Sequence, residues 1–99
     1  MIYEIATIEI TPGSEAVFES AVNAASPVFQ QAQGCLSLKL ERSIENPTHY
    51  RLVVGWESVD DHMVTFRESE GFQKWRSLAS PHFASPPQVE HVNVVLEAF

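Results

Sequence analysis

The N-terminal third of the chain changes its hydrophobic period at one point, and this change limits the folds that are possible. Over residues 2–10 apolar side chains alternate, which is the two-residue period of a strand with one buried face. After a break at residues 11–14, apolar residues recur at the i, i+3, i+4, i+7 spacing of an amphipathic helix. We therefore expect a strand followed by a helix over residues 15–33, with Ser14 as its cap and a kink or re-start at Pro27.

The rest of the chain repeats these two periods, with turn residues at each change of period. Gly34 is expected to end the first helix, and Gly71 to join two short helices. Near-continuous apolar character at residues 52–54 suggests a strand that is covered on both faces. The expected elements are a half-buried strand around Leu36, Leu38 and Leu40, a strand at 50–57, helical residues 59–78 opened by Ser58, a loop at 79–88 and a strand at 89–96.

The resulting order, β-α-β-β-α(α)-β, indicates the fold class. It is typical of the ferredoxin-like α+β arrangement, an antiparallel sheet with its helices on one face, here in a single domain over residues 1–99. The other sheet face, with Tyr3, Ile5 and Thr7 on it, would stay uncovered. Because an exposed apolar sheet face normally requires a partner, we expect a homodimer formed by sheet-to-sheet packing.

Composition and charge exclude several classes of partner and site. The chain has 99 residues, of which 44% are apolar, and its net charge of −7 argues against nucleic acid. Its only cysteine, Cys35, excludes an intrachain disulfide and a cysteine-based zinc site. No run of about 18 apolar residues and no signal-like N-terminus occurs, so we expect a cytoplasmic protein without a membrane segment.

Four short segments at the ends of the predicted elements carry a family resemblance. They are Thr-Pro-Gly at 11–13, Gln-Gly-Cys-Leu-Ser at 33–37, Gly-Trp-Glu-Ser at 55–58 and Pro-Gln-Val-Glu-His at 87–91. In this order and spacing they resemble the antibiotic biosynthesis monooxygenase (ABM) family over essentially the whole chain. The resemblance implies a dimeric α+β barrel in which each protomer keeps a pocket between its own sheet and its helices.

The resemblance implies more than one possible chemistry. Some members of this family oxygenate polycyclic aromatic or quinol-like substrates with O2 and without metal or flavin, some degrade haem, and some isomerise small phosphorylated sugars. The Asn, Trp and His positions of the haem-degrading members fall near Ala6, residues 65–66 and Arg76, which disfavours haem degradation. The sequence contains no metal-binding motif and no glycine-rich phosphate cradle, so no cofactor is expected.

Oxygenation without a cofactor requires a base, because the substrate must become an electron-rich anion. His62, four residues before Phe66 in the second helical region, is the preferred catalytic residue, as base or orienting donor. Glu4 interrupts the apolar face of the first strand, where a buried carboxylate would orient a histidine or arginine. His91 lies in the last strand, whose pocket-facing side the sequence leaves open. Structural roles are the alternative: a partly exposed helix position or a hydrogen bond between helix and sheet for His62, a purely structural residue for His91, and a solvated strand end for Glu4.

The remaining candidates are suited to binding a planar substrate. Aromatic side chains on helical spacing can form pocket walls, although at this spacing they are also typical core residues. Two arginines could hold an anionic substrate or pair with Glu68 or Glu70 at the surface. The expected substrate-binding residues are Glu4, Phe66, Arg67, Phe72, Trp75, Arg76, Phe83 and His91.

The preferred function is a cofactor-independent monooxygenase that uses O2 on a small phenolic, quinol-like or polycyclic aromatic substrate. One alternative is a non-catalytic dimer that binds a small ligand or serves in stress. Another is an isomerase of a small phosphorylated metabolite, which would need a cationic pocket.

Overall fold

The protein is a four-stranded antiparallel sheet with its helices on one face, as the sequence predicts. The computed structural model describes residues 1–99. The strands lie in the order β2-β3-β1-β4, and none of the helices combines the length and apolar character needed to cross a membrane. The elements are β1 Ile2–Glu9, α1 Glu15–Gln30, β2 Cys35–Arg42, β3 His49–Trp56, a π-helical segment Asp61–Phe66, α2 Glu70–Ala79, a short 3-10 turn Ser80–His82 and β4 Gln88–Val92.

The core lies between the helices and the face of β1 that the alternation predicts. Ala6, Ile8 and Ile10 are buried on this face. Glu4 shares their parity and is buried with them, with 6% of its surface exposed. Burying these alternate side chains against α1 and α2 supplies the hydrophobic free energy that fixes the register of the sheet. The helix side of the core is formed by Phe18, Val22, Ala25, Phe29, Phe66, Trp75 and Ala79.

The first helix is unbroken but shorter than the sequence suggests. It ends at Gln30 and continues through Pro27, so the predicted re-start does not occur. Core residues Ala25 and Phe29 are buried on either side of Pro27, and this packing offsets the backbone hydrogen bond that proline cannot make. The Ser14 side chain makes no capping bond.

A bulge in β2 changes which leucine faces the core. Cys35 pairs with Trp56 but Ser37 pairs with Gly55, so Leu36 is an extra residue between two paired positions. Leu36 is 51% exposed, and its expected place on the half-buried face is wrong. Leu38 and Leu40, beyond the bulge, do pack against the core.

The second helical region contains two helices, as predicted, but the joint is not at Gly71. Ser58 Oγ accepts a hydrogen bond from the Asp61 backbone N–H at 3.1 Å, as a cap should. Ser69 begins α2, because its Oγ accepts from the Phe72 backbone N–H at 3.2 Å and donates to the Phe66 carbonyl at 2.6 Å. Gly71 lies inside the first turn of α2.

The last strand is shorter than its apolar pattern suggests. It pairs only with β1, and the last pair joins Tyr3 to Val92. Because β1 starts at Ile2, no strand backbone remains opposite residues 94–96, and the predicted extension to residue 96 is wrong. The register places His91 opposite Glu4 and Val89 opposite Ala6, on the helix-covered face.

No helix covers the other sheet face. Tyr3, Ile5, Val53 and Val92 form an apolar band across β3, β1 and β4 on this face. Val53 is only 8% exposed, in keeping with the predicted burial of both faces of β3.

Candidate active site

A pocket of about 560 Å³ lies between the helix-covered sheet face and the helices, with the segment after α2 along one side. Its size is within the range of small-molecule sites, and its lining is largely apolar. His91 lies outside the lining and reaches it through His62. The other predicted site residues all line the pocket, namely Glu4, His62, Phe66, Arg67, Phe72, Trp75, Arg76 and Phe83.

Glu4 projects from β1 toward the pocket with its two oxygens in different environments. Oε1 accepts a hydrogen bond from Trp56 Nε1 at 3.1 Å and lies 3.2 Å from His62 Nε2. Oε2 has no hydrogen-bond partner in the protein and is not fully enclosed, and Glu4 lines the pocket. Oε2 is therefore the oxygen that a bound molecule can reach.

His62 is the centre of a buried series of polar contacts. It lies in the π-helical segment with 3% of its surface exposed, and its ring stacks on Trp56 at a centroid distance of 5.2 Å. Nε2 faces Glu4, and Nδ1 lies 2.8 Å from His91 Nε2. Both ring nitrogens of His62 are thus engaged by protein groups.

Burial moves the pKa values of the two buried groups in opposite directions. Desolvation raises the pKa of Glu4 from 4.5 to about 7, against the smaller opposing effects of the Trp56 hydrogen bond and the Arg67 charge. Desolvation lowers the pKa of His62 from 6.5 to about 4, and the charges of His91 and Arg67 lower it further. Near neutral pH, His62 is therefore uncharged and Glu4 changes its protonation state.

The protonation states determine the hydrogen positions in these contacts. An ionised Glu4 carries no proton, so the favoured tautomer of a neutral His62 has its ring hydrogen on Nε2, which lies 3.2 Å from Oε1. The Nδ1 of a neutral His62 then accepts from His91 Nε2–H. Trp56 and His62 both contact Oε1, which leaves Oε2 as the oxygen without a protein partner.

Two arginines stand at the mouth of the pocket. Arg67 follows the π-helical segment and Arg76 lies in α2, and both are exposed while lining the pocket. Each guanidinium carbon is 5.9 Å from the centroid of the Phe72 ring. Neither arginine forms a salt bridge, so the surface pairing with Glu68 or Glu70 is not present.

The aromatic side chains belong both to the core and to the pocket wall. The Phe29 ring lies 5.2 Å from both Phe66 and Trp75, and Phe66 lies 5.7 Å from Phe72. Because these rings pack on one another, the wall that a planar ligand would meet is rigid.

Trp56 is a residue of this site that the sequence did not single out. It is buried and donates a hydrogen bond to Glu4. The sequence did contain a signal for this position. Trp56 is two residues after Val54 in β3, and alternation along a strand puts both side chains on the covered face. No group of three or more His, Cys, Asp or Glu side chains is arranged to hold a metal ion.

Comparison with known proteins agrees with this architecture. The family model for antibiotic biosynthesis monooxygenase matches residues 1–78. The Bacillus subtilis protein YczJ is 34% identical over 91 residues, which are 92% of this chain and 96% of YczJ. A crystal structure from Bordetella bronchiseptica, of a protein named for the same family, is 55% identical with a TM-score of 0.95, and the match covers 96% of this chain and 97% of that one.

More distant structures share the fold alone. Rv0793 from Mycobacterium tuberculosis is 18% identical, with a TM-score of 0.78 and coverage of 99% of this chain and 98% of its own. The family match over most of the chain and the two nearer relatives decide the classification. This chain belongs to the antibiotic biosynthesis monooxygenase family.

Proposed function

We propose that the protein is a cofactor-independent monooxygenase that uses O2 on a small phenolic, quinol-like or polycyclic aromatic substrate. The observation that carries this proposal is the buried Glu4 in the lining of an aromatic-walled cavity, with Oε2 left without a protein partner. A base is most effective when its pKa lies near the working pH, and the pKa of Glu4 is about 7. Membership in the family supports the same chemistry.

The reaction balances without a further reductant. The substrate hydroxyl loses its proton to Glu4 Oε2, and the resulting anion donates electrons to O2, so that a bond forms between a ring carbon and oxygen. Glu4 returns the proton to the outer peroxide oxygen. The O–O bond then breaks while the ring carbon loses its hydrogen as a proton. One oxygen atom remains as a carbonyl and the other leaves as water.

His62 acts through Glu4 in this proposal. The sequence favours His62 as base or orienting donor, and with both nitrogens engaged its role is the orienting one. Trp56 stabilises the carboxylate form by donating to Oε1, and the ring of neutral His62 lies 3.2 Å from the same oxygen. His62 is therefore a positioning residue, and Glu4 is the group that touches substrate.

We also propose that the protein works as a homodimer joined through the uncovered sheet face. The apolar band of Tyr3, Ile5, Val53 and Val92 supports this assembly, because burying it would remove exposed apolar surface from water. The pocket lies on the opposite face of the sheet, so such a dimer would leave it free.

Oxygen uptake tests the proposed activity. Metal-free and cofactor-free protein is mixed with dihydroxynaphthalenes, anthrones and quinols, and Glu4→Gln is compared with Glu9→Gln. Glu9 lies in the same strand on the other face and is exposed, so it is a matched control. We expect Glu4→Gln to lower the rate about 10²- to 10⁴-fold. His62→Ala should also lower it, by loosening the carboxylate.

Two results would contradict the proposal. A folded Glu4→Gln variant with the full rate would exclude Glu4 as the base. Tight binding of these compounds without any oxygen uptake would favour the non-catalytic dimer. Turnover of a phosphorylated sugar instead would favour the isomerase, which Arg67 and Arg76 could serve by holding the phosphate.

A further inference from the structure

The two arginines at the pocket mouth differ from most of the other cations of this protein. The chain has six Lys and Arg residues. Lys39, Arg42 and Arg51 each form a salt bridge with a glutamate. Arg67 and Arg76 form none, although the chain carries thirteen acidic residues. Two guanidinium groups without a salt bridge therefore lie near the Phe72 ring in the lining of an otherwise largely apolar cavity.

Both arginines lie near the Phe72 ring, where they could bind a substituent at one end of a planar ligand. Both guanidinium carbons lie at 5.9 Å from the same ring centroid, on residues from two helical segments. The Phe72 ring is itself part of the pocket wall. An aromatic ligand that lies along this wall would bring a substituent at its outer edge to both arginines.

The charge of Arg67, at the mouth of the pocket, also acts on groups in its interior. Its positive charge lowers the pKa of both Glu4 and His62, so the guanidinium lies within electrostatic reach of the buried base. A ligand that spans this distance would present one group to Glu4 and another to the arginines. The first must give up a proton, and the second must carry negative charge.

We propose that Arg67 and Arg76 bind a carboxylate on the substrate, so that the pocket selects hydroxylated aromatic carboxylic acids over neutral arenes. Guanidinium groups bind carboxylates through paired charge-assisted hydrogen bonds. A single negative charge fits better than a phosphate dianion, because Glu4 adds negative charge to the same cavity. The hydroxyl half of this substrate rests on the proposed function, whereas binding of the carboxylate does not require oxidation.

Binding of compounds that cannot be oxidised in this way tests the carboxylate site by itself. The probes are 2-naphthoate, its neutral analogue 2-naphthamide and 2-naphthyl phosphate, measured by calorimetry. We expect 2-naphthoate to bind about tenfold or more tightly than the amide. Arg67→Gln and Arg76→Gln should each remove most of that preference, weakening binding of 2-naphthoate by a much larger factor than binding of the amide.

Lys74→Gln is the matched control. Lys74 lies in α2, is exposed, forms no salt bridge and does not line the pocket, so its loss changes the net charge equally. We expect no effect on 2-naphthoate. Equal binding of naphthoate and naphthamide would overturn the proposal. A loss of affinity for 2-naphthoate in Lys74→Gln as large as in the arginine variants would also overturn it. Tighter binding of the phosphate would replace the carboxylate with a phosphate ester.

Oxygen uptake with 6-hydroxy-2-naphthoate, whose two groups lie at opposite ends of the ring system, and with 2-naphthol separates this proposal from the proposed function. If the arginines act as proposed, their variants raise KM for the hydroxynaphthoate by a much larger factor than KM for the naphthol. A preference for naphthoate without uptake from any substrate would overturn the oxygenase and support the carboxylate site. Oxygen uptake from neutral substrates, with no tighter binding of 2-naphthoate than of 2-naphthamide, would support the oxygenase and overturn the carboxylate site.

Discussion

Glu4 and His91 face each other across the antiparallel pairing of β1 with β4, and both side chains reach the ring of His62, one at each nitrogen. His62 comes from a helical segment between them in the chain. The sheet register therefore decides which two groups flank this imidazole. Because the three groups are in contact, a change in the protonation of one changes the others.

The first prediction is that Glu4 and His62 make opposite contributions to the pH dependence of stability. The folded pKa of Glu4, about 7, lies above its ordinary 4.5, so its stabilising contribution is complete below pH 4.5 and is lost as pH rises to 7. The folded pKa of His62, about 4, lies below 6.5, so its contribution is complete above pH 6.5 and is lost as pH falls to 4. In the wild type the two contributions offset each other in the overlapping range.

Single variants should expose each contribution. Relative to wild type, the unfolding free energy of Glu4→Gln should rise with pH through this range, and that of His62→Gln should fall. Each change should amount to about 1–3 kcal/mol. Urea denaturation over a series of pH values measures it. Curves that stay parallel to wild type for both variants would show that neither pKa is shifted by folding.

The second prediction concerns the Trp56 hydrogen bond. Trp56→Phe keeps an aromatic ring against His62 but removes the donor to Glu4 Oε1, which holds down the Glu4 pKa. The pH at half-maximal oxygen uptake should therefore rise by about one unit, and stability should fall by about 1–2 kcal/mol. Trp75→Phe is the control, because Trp75 makes no such bond, and its midpoint should not move. Equal midpoints for wild type and Trp56→Phe would contradict the assigned role.

The third prediction concerns His91. Its charge lowers the pKa of His62, so His91→Gln should raise that pKa from about 4 while an amide still occupies the position opposite Nδ1. A proton NMR titration of the His62 ring measures this directly. His49→Gln, in an exposed residue at the start of β3, should have no effect. An unchanged His62 titration in His91→Gln would mean that the two rings do not interact in solution.

The fourth prediction compares two glycines that have positive φ. A Cβ on Gly13, with φ of 89°, would meet no other atom within 4 Å, whereas a Cβ on Gly34, with φ of 76°, would overlap the Asp61 carboxylate. Gly13→Ala should cost about 1 kcal/mol of stability from backbone strain alone. Gly34→Ala should cost about 2–4 kcal/mol, because it also displaces Asp61 at the start of the segment that carries His62. Urea denaturation measures both losses. Equal losses of unfolding free energy in Gly13→Ala and Gly34→Ala would show that Asp61 moves aside freely.

The fifth prediction concerns the dimer. Ile5 lies in the middle of the apolar band, and Ile5→Lys should place a charge in the proposed interface and produce monomers. Val17→Lys changes an exposed valine on α1 instead and should leave the dimer intact. Light scattering after size exclusion gives both masses. Monomeric wild type would exclude the dimer, and a fully dimeric Ile5→Lys would place the interface elsewhere.

Local pattern was sufficient for much of the fold. The alternation in β1 correctly placed Glu4 on the buried face with Ala6 and Ile8, since strand parity depends only on the chain itself. Helical spacing likewise identified the aromatic residues of both helical regions. Two of the positions that were wrong, Leu36 and Gly71, depend on a neighbouring strand and on a competing Ser69 cap.

The sequence by itself determined the element order, the covered face of β1 and the types of residue available for chemistry, because these follow from hydrophobic period and composition. Only the tertiary structure decided that Glu4, Trp56, His62 and His91 meet, because their contacts depend on strand register and helix docking across the whole chain. It also decided their chemistry: desolvation, which moves the pKa values of Glu4 and His62 in opposite directions, exists only once the helices cover the sheet.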